Sequence, residues 1–192
     1  MDKDKIIKLL RDDPRNKSYT KRGIDPCFQF NKKSKILIIG QAPGKKVEET
    51  GILFNDKSGD NLIDWLGVSR KDFYGEDFSI MPMDFYYPGK AKTGDKAPRR
   101  FIAKDYHPLI LEELKDLELT ILIGTYAQKF YLKDSFKKNL SQTVKSFKDY
   151  LPEYFPLVHP SPLNNRWQAK NPFFKEEVLP VLKDEVSKIL QK

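Results

Sequence analysis

The sequence predicts an α/β fold with three layers, α/β/α, around a central, mostly parallel sheet of four strands. Two observations support this prediction. Short, continuous apolar runs recur along the chain, and two of them are ended by glycine, which is typical of buried parallel strands. Helix-length segments separate these runs, and strands that alternate with helices imply a parallel sheet covered on both faces.

The elements begin with a helix over residues 1–13, where apolar side chains recur at the spacing of an amphipathic helix. Residues 12–34 are polar and contain Pro14, Gly23 and Pro26, so we expect an irregular lead-in. The four strands are predicted over residues 35–39, 78–81, 119–123 and 155–158. Further helices are predicted over residues 58–66, with Ser58 as N-cap, and over residues 105–117, 125–132 and 172–190.

This topology places a ligand site at one edge of the sheet. In parallel sheets, ligands bind beyond the carboxyl ends of the strands. Three loops leave strands at that edge, over residues 41–44, 82–89 and 159–165. We therefore expect residues 1–192 to form a single domain, with an N-terminal helix and lead-in over residues 1–34, and a site on these loops.

The net charge of +8 favours an anionic partner, and nucleic acid is the commonest such partner. A turn-rich basic stretch over residues 90–100 could add phosphate contacts, through Lys90, Lys92, Lys96, Arg99 and Arg100. A lysine-rich solvated surface explains the charge equally well. Charge alone therefore leaves both interpretations open.

Cys27 is the only cysteine, which excludes a disulfide framework and any iron–sulfur cluster or cysteine-rich metal site built by one chain. A single thiol fits a reducing compartment. No apolar run approaches the ~20 residues that span a bilayer, and the N-terminus lacks the pattern of a signal peptide. We expect a cytoplasmic protein with no membrane contact.

The first loop after a strand contains Gly40, Gln41, Ala42, Pro43 and Gly44. Glycine lets the backbone approach a ligand closely, and proline stiffens the turn. The pattern matches neither a dinucleotide fingerprint nor a phosphate loop. An ordinary turn at a strand exit remains an alternative interpretation.

The loop over residues 159–166 carries a histidine at the end of a strand, followed by two prolines that fix the backbone around Ser161. Rigid placement of His159 suits hydrogen bonding to a ligand, although a lone histidine is often structural. The other histidine, His107, opens a predicted helix, and we interpret it as a surface or capping residue.

Residues 51–60 lie between the two loops. Phe54 could stack on a base or belong to the core. Asp56 and Asp60 could position water or cap the following helix. Asp60 falls in the first turn of that helix, where a carboxylate is favoured by the helix dipole alone, so we favour a structural role for it.

Together, the loop at residues 40–44, the segment 51–60 and the motif His159-Pro160-Ser161-Pro162-Leu163 resemble the uracil-DNA glycosylase superfamily. The similarity in order and spacing covers residues 35–185. It implies a uracil-DNA glycosylase-like fold and a DNA glycosylase of base excision repair that needs neither cofactor nor metal. The implied partner is DNA with a damaged or deaminated base, bound by a monomer.

The resemblance also implies roles for individual residues. Phe54 matches the phenylalanine that stacks on the base, His159 the histidine that donates to uracil O2, and Leu163 the wedge that enters the duplex. Gln41 stands where the thermophilic iron–sulfur members have glutamate. Asp56 or Asp60 could replace it, as in the branch whose first loop lacks a carboxylate, so Gln41 or Asp56 would orient the attacking water.

The remaining implied contacts are to the base and to phosphates. The residues expected to bind the substrate are Gly40, Ala42, Pro43, Gly44, Phe54 and Met81. The residues expected to bind DNA phosphates are Ser161, Asn164, Asn165 and Arg166, with Lys45 and Lys46.

Two departures from the family pattern bear on the function. The iron–sulfur members have four cysteines and this chain has one, so no cluster is expected. Aligning Pro88 and Gly89 with the family's Pro-Gly places Met81 near the position of the asparagine that reads the base, and methionine cannot pair with a uracil edge.

These departures keep three alternatives open. The first is a non-catalytic nucleic-acid-binding module on the same fold. The second is a glycosylase for another deaminated base, such as hypoxanthine or xanthine. The third is an enzyme acting on free nucleosides or nucleotides, against which the wedge Leu163 and the positive charge argue.

Overall fold

The computed structural model describes residues 2–191 and contains the predicted sheet. Its four strands are all parallel and lie in the order β2-β1-β3-β4. The strands are β1, Ile36–Ile39; β2, Phe78–Ile80; β3, Leu119–Ile123; and β4, Tyr154–Leu157. Because helices pack on both faces of this sheet, the prediction of a three-layer α/β/α fold is confirmed.

Ten α-helices are assigned within the described residues: α1, Lys3–Asp12; α2, Lys17–Thr20; α3, Lys45–Thr50; α4, Lys57–Leu66; α5, Arg70–Phe73; α6, Arg100–Leu111; α7, Gly124–Leu132; α8, Leu140–Lys145; α9, Asn165–Lys170; and α10, Leu179–Leu190. A π-helical turn spans Phe174–Val178, and 3₁₀ turns span Pro14–Asn16, Lys133–Ser135, Phe147–Tyr150 and Pro162–Asn164. None of the helices between residues 2 and 191 has the length and apolar character needed to cross a bilayer.

The core lies on both sides of the sheet because successive side chains of β1 point to opposite faces. Ile36 and Ile38 pack with Trp65 of α4 and Leu182 of α10 on one side. Leu37 and Ile39 pack with Leu10 and Ile102, from α1 and α6, on the other side. The continuous apolar run of β1 therefore reflects burial on both faces, as the sequence predicted.

Several predicted boundaries are wrong. The helix predicted over residues 105–117 is α6, which begins at Arg100, directly after the turn-rich stretch, and includes Pro108 within it. The irregular lead-in contains the 3₁₀ turn Pro14–Asn16 and α2. The helix predicted over residues 172–190 is a π-helical turn followed by α10. The helix predicted over residues 1–13 is α1, and residue 1 lies outside the described part of the chain.

The lead-in is attached to the sheet edge beside β2. Gln29 and Ile80 exchange two backbone hydrogen bonds of 2.9 Å as an antiparallel bridge. Further along, the N–H of Cys27 donates to the carbonyl of Phe85 at 2.7 Å. The lead-in thereby holds the loop that follows β2, which is one of the three loops at the predicted site.

A buried ion pair fixes the chain between β2 and α6. The carboxylate of Asp84 is 0% exposed and accepts two hydrogen bonds of 2.8 Å from the Arg99 guanidinium, in a bidentate arrangement. Arg99 also donates to Asn16 at 2.9 Å, and its guanidinium lies 4.7 Å from the ring centroid of Tyr19. The pair therefore joins the loop after β2 to the N-terminal segment.

His107 lies inside α6 and is only 1% exposed, so its interpretation as a surface or capping residue is wrong. Its Nε2 is 3.0 Å from the carbonyl oxygen of Pro82, which can only accept a hydrogen bond. Nε2 therefore carries the proton, and the Tyr131 hydroxyl donates to Nδ1 at 2.7 Å. Burial lowers the pKa of His107 to about 4.

Stability is expected to fall as the pH drops from 7 to 5, because the unfolded chain takes up a proton at His107 in this range and the folded chain does not. The pKa of His107 is 6.5 in its ordinary environment and about 4 in the fold. This difference lowers the free energy of unfolding by about 2 kcal/mol between pH 7 and pH 5. Urea denaturation at pH 7 and at pH 5 measures the free energy of unfolding at each pH. In His107→Asn, the decrease between the two pH values should be smaller than in the unaltered protein by about that amount. An equal loss in both proteins would contradict a buried neutral imidazole.

Replacing Asp84 by asparagine should be strongly destabilising because it removes the charge that compensates Arg99, whose side chain is only 24% exposed. We expect the free energy of unfolding to fall by about 3–5 kcal/mol. The matched control is Asp25→Asn, which removes the half-exposed Arg11–Asp25 pair and should change stability by less than about 1 kcal/mol. Chemical denaturation measures the free energy of unfolding of both variants. Equal losses would contradict the conclusion that the Asp84–Arg99 pair stabilises the fold more than the exposed Arg11–Asp25 pair.

Candidate functional site

A cavity of about 340 Å³ opens at the carboxyl ends of the strands, where the topology predicted a ligand site. This volume falls in the range of about 300–1,000 Å³ that is usual for small-molecule sites. The cavity is lined by Gly40, Gln41, Ala42, Pro43, Gly44, Val47, Leu53, Phe54, Asp56, Ser58, Pro82, Asp95, His159, Ser161 and Leu163. The fold thus brings together three segments that are far apart in the sequence.

The first loop is held by the loop after β2. The carbonyl oxygens of Gly40 and Gln41 accept hydrogen bonds from the N–H groups of Met83 and Asp84, at 2.9 and 3.2 Å. A Cβ atom at Gly40 would lie 3.6 Å from the Phe54 ring. The backbone of the first loop and the aromatic ring therefore approach each other closely at the cavity wall.

Phe54 adopts an unusual backbone conformation, with φ of 55°. This angle lies in the left-handed region, which a bulky residue rarely occupies without support from its surroundings. Helix α4 packs tightly against it: a Cβ atom at Gly59 would lie 1.7 Å from the Phe54 carbonyl oxygen. The Phe54 ring also contacts Phe73 edge-on, with the centroids 6.1 Å apart. Phe54 is therefore held at its backbone by α4 and at its ring by Phe73.

Asp56 is the N-cap of α4. Its Oδ1 accepts hydrogen bonds from the N–H groups of Ser58 and Gly59 at 3.0 and 3.1 Å. The prediction of Ser58 as N-cap is therefore wrong, since Asp56 satisfies the free backbone donors of the first turn. Asp60 forms an ion pair with Arg70 and does not line the cavity. Of the two aspartates, only Asp56 combines a structural contact with a position in the cavity.

His159 follows β4, and its contacts define its protonation state. The Ser161 N–H donates to Nδ1 at 3.2 Å, so Nδ1 is unprotonated and Nε2 carries the proton. Burial lowers the pKa of the imidazole, and the nearby charge of Asp56 opposes this only in part. Its backbone carbonyl accepts from the side chain of Asn164 at 2.7 Å. The site therefore presents a neutral, oriented N–H donor.

Leu163 stands at the rim of the cavity and is 92% exposed. It belongs to the 3₁₀ turn Pro162–Asn164, and its N–H donates to the Ser161 hydroxyl at 3.2 Å. A large apolar side chain that a short, proline-containing turn holds in solvent contributes no burial energy to the stability of the fold. This geometry favours a binding role over a packing role.

Six of the predicted site residues do not line this cavity, and two of them, Lys45 and Lys46, begin α3. Met81 is 1% exposed and belongs to the core, and the side chain of Asn164 holds the His159 carbonyl. Asn165 and Arg166 begin α9. Asn165 lines a neighbouring cleft of about 600 Å³ between α4, α9 and α10, to which Lys175 and Lys183 add positive charge.

The cavity also contains Asp95, which the sequence analysis did not single out. It lies in the basic stretch over residues 90–100, whose charge predicted only phosphate contacts. The pattern that could have revealed it is a single carboxylate, next to Gly94, within a run of cations. Two of those cations are already paired, since Lys90 contacts Asp95 and Arg99 contacts Asp84.

The donor groups of this chain do not fit a metal or an iron–sulfur cluster. Among residues 2–191, no three or more His, Cys, Asp and Glu side chains are grouped to hold a metal ion. A cluster needs several thiolates, whereas this chain has only Cys27, which is buried.

Gly59→Ala tests the contact that fixes Phe54, because the added methyl group would overlap the Phe54 carbonyl. We expect a loss of about 1–3 kcal/mol, the usual cost of overpacking, measured by chemical denaturation. The control is Gly44→Ala, where a Cβ atom meets nothing within 4 Å. This control should cost at most about 1 kcal/mol, the usual effect of placing alanine at an N-cap. Equal losses would contradict the close packing at Phe54.

Comparison with known families agrees with this geometry. A family model described as the Uracil DNA glycosylase superfamily matches residues 27–183. The matched range contains all four strands and all three segments that line the cavity. Because the match covers most of the chain and the parallel sheet places the matched segments around one site, the protein belongs to the uracil-DNA glycosylase superfamily.

Proposed function

We propose that this protein is a DNA glycosylase that hydrolyses the N-glycosidic bond of a flipped-out uracil or another deaminated base. Membership of the superfamily supports a glycosidase that acts on DNA. The proposal that a base in DNA is the substrate rests on the position of His159. This residue offers a neutral N–H donor in a cavity that also contains Phe54 and has the exposed Leu163 at its rim.

The cavity suits one extruded base. Enzymes that act on a base in DNA take the nucleotide out of the stack and bind the base in a closely fitting pocket. Phe54 supplies an aromatic face for stacking, and Gly40 lets the first loop approach that ring. Leu163, at the rim, fills the space that the base leaves in the duplex.

His159 assists departure of the base. When the C1′–N bond breaks, the base keeps the electron pair and its carbonyl oxygen gains negative charge. The Nε2–H of His159 donates to that oxygen, and the bond strengthens as the charge develops. A neutral imidazole does this without giving up its proton, which agrees with the lowered pKa of His159.

Water completes the reaction by attacking C1′. Asp56 lies in the cavity and uses only Oδ1 to cap α4. Its carboxylate can orient the water and take its proton, whereas the Gln41 amide can orient the water but cannot take its proton. We assign Asp56 the first role and Gln41 the second.

DNA is held by polar and cationic groups around the rim. Ser161, Asn165, Arg166, Lys45 and Lys46 are the proposed phosphate contacts. In the basic stretch over residues 90–100, Lys90 and Arg99 are engaged by aspartates. The phosphate contacts that we propose from this stretch are therefore those of Lys92, Lys96 and Arg100, which are exposed.

A non-catalytic nucleic-acid-binding module is the second candidate. Two observations favour it: the first loop carries no carboxylate, and Met81, at the expected base-reading position, belongs to the core. The same cavity would then hold a base without cleaving its bond. A glycosylase for hypoxanthine or xanthine is a variant of the first candidate, since it uses the same site on a different base.

His159→Ala should lower the single-turnover rate of base excision by about 10²–10³-fold, the usual effect of losing one such donor. The assay uses end-labelled oligonucleotides with one uracil, hypoxanthine or xanthine, followed by alkaline cleavage of abasic sites. His159→Gln, which keeps an N–H donor, should retain more activity than the alanine variant. DNA binding, measured by fluorescence anisotropy, should remain largely intact in both variants.

Unchanged excision by His159→Ala would overturn its catalytic role. If the unaltered protein cleaved none of the three bases but bound DNA in a salt-dependent way, the binding-module function would replace the proposed one.

A further inference from the structure

A short hairpin extends from the loop after β2 and forms one wall of the cavity. We call residues 89–96 the rim hairpin. The N–H of Lys96 donates to the carbonyl of Gly89 at 2.9 Å, and that of Ala91 donates to Gly94 at 3.1 Å. Gly89 and Gly94 have φ of 93° and 70°, in the left-handed region that glycine tolerates. The hairpin therefore has a defined backbone.

The rim hairpin fixes the carboxylate of Asp95 at the cavity. Asp95 Oδ1 lies 2.9 Å from the ammonium nitrogen of Lys90, its partner across the hairpin. The Tyr87 hydroxyl donates to the same oxygen at 3.2 Å. The side chain is 36% exposed and lines the cavity. An ionised carboxylate can only accept hydrogen bonds, so this wall presents an acceptor.

The sheet topology places Asp95 and His159 on different sides of the site. The rim hairpin follows β2 and His159 follows β4, and these two strands are the opposite edges of the four-stranded sheet. The first loop follows β1, between them. His159 and Asp95 therefore offer a donor and an acceptor to the same cavity from two different directions.

The other acidic side chains of this region have partners or positions of their own. Asp56 caps α4 through its Oδ1, and Asp84 is buried against Arg99. Met81 belongs to the core and offers no hydrogen bond to a base edge. Of the residues that line the cavity in the described chain, only Asp56 and Asp95 are acidic, and Asp95 is the one on the β2 side.

We propose that Asp95 is a specificity-determining residue that accepts a hydrogen bond from the ring N–H of the base that lies next to the carbonyl contacted by His159. This inference rests on the proposed glycosylase function. Uracil offers such a group at N3 and hypoxanthine at N1, whereas a base methylated at that nitrogen offers none. Asp95 thus takes the base-reading role that Met81 cannot fill, from a different loop and with a different functional group.

The test compares single-turnover excision of uracil and of 3-methyluracil from single-stranded oligonucleotides, which removes any effect of the methyl group on base pairing. The unaltered protein should prefer uracil by at least about 10-fold, because the methyl group displaces the hydrogen bond and leaves the carboxylate unpaired. Asp95→Ala should reduce this preference to within about threefold. The control, Thr93→Ala at the exposed hairpin tip, should keep the preference of the unaltered protein.

Asp95→Asn provides a second variant in case alanine disturbs the hairpin. Its amide oxygen still accepts a hydrogen bond, so it should retain an intermediate preference, and a thermal melt checks its fold. An unchanged uracil preference in both variants would overturn the role of Asp95 and leave the glycosylase function intact. If hypoxanthine is the base that is removed, the same comparison uses 1-methylhypoxanthine. Failure of the unaltered protein to excise any base would overturn the proposed function and this inference together.

Discussion

The buried pair of Asp84 and Arg99 is the interaction on which the site depends. Its bidentate geometry joins the loop after β2 to Asn16 and Tyr19 of the N-terminal segment. The backbone N–H of Asp84 also holds the carbonyl of Gln41 in the first loop. Breaking this pair is costly because the remaining charge, that of Arg99, is largely removed from solvent. Two walls of the cavity are therefore positioned by one interaction outside it.

The parallel sheet supplies the rest of the geometry. Because all four strands run in the same direction, the loops after β1, β2 and β4 open at the same edge. Burial at this edge also sets the chemistry, since it keeps His159 neutral and leaves Nε2 as the donor. His107 uses the same tautomer, behind the site, to hold the Pro82 carbonyl. The two histidines of the chain thus act through neutral N–H groups, one towards the cavity and one towards its supporting loop.

Features encoded locally could be predicted from the sequence, and features that depend on distant partners could not. The strands were identifiable because β1 and β3 are continuous apolar runs, and the loops because glycine and proline mark them. The cap of α4 was misassigned, since Ser58 and Asp56 are both good N-caps and only the backbone geometry selects Asp56. Asp95 was missed because its contacts depend on how the rim hairpin folds over the cavity.

The exposed Leu163 has an energetic consequence for base extrusion. Its side chain is 92% exposed in the free protein, so the gain of about 1.5–3 kcal/mol from burying a leucine is not realised in the fold. Unstacking a nucleotide costs a few kcal/mol. Insertion of this side chain into a duplex would recover an amount of the same order. If the protein acts on DNA as proposed, part of the driving force for extruding a base is thus present in the folded protein as unburied apolar surface.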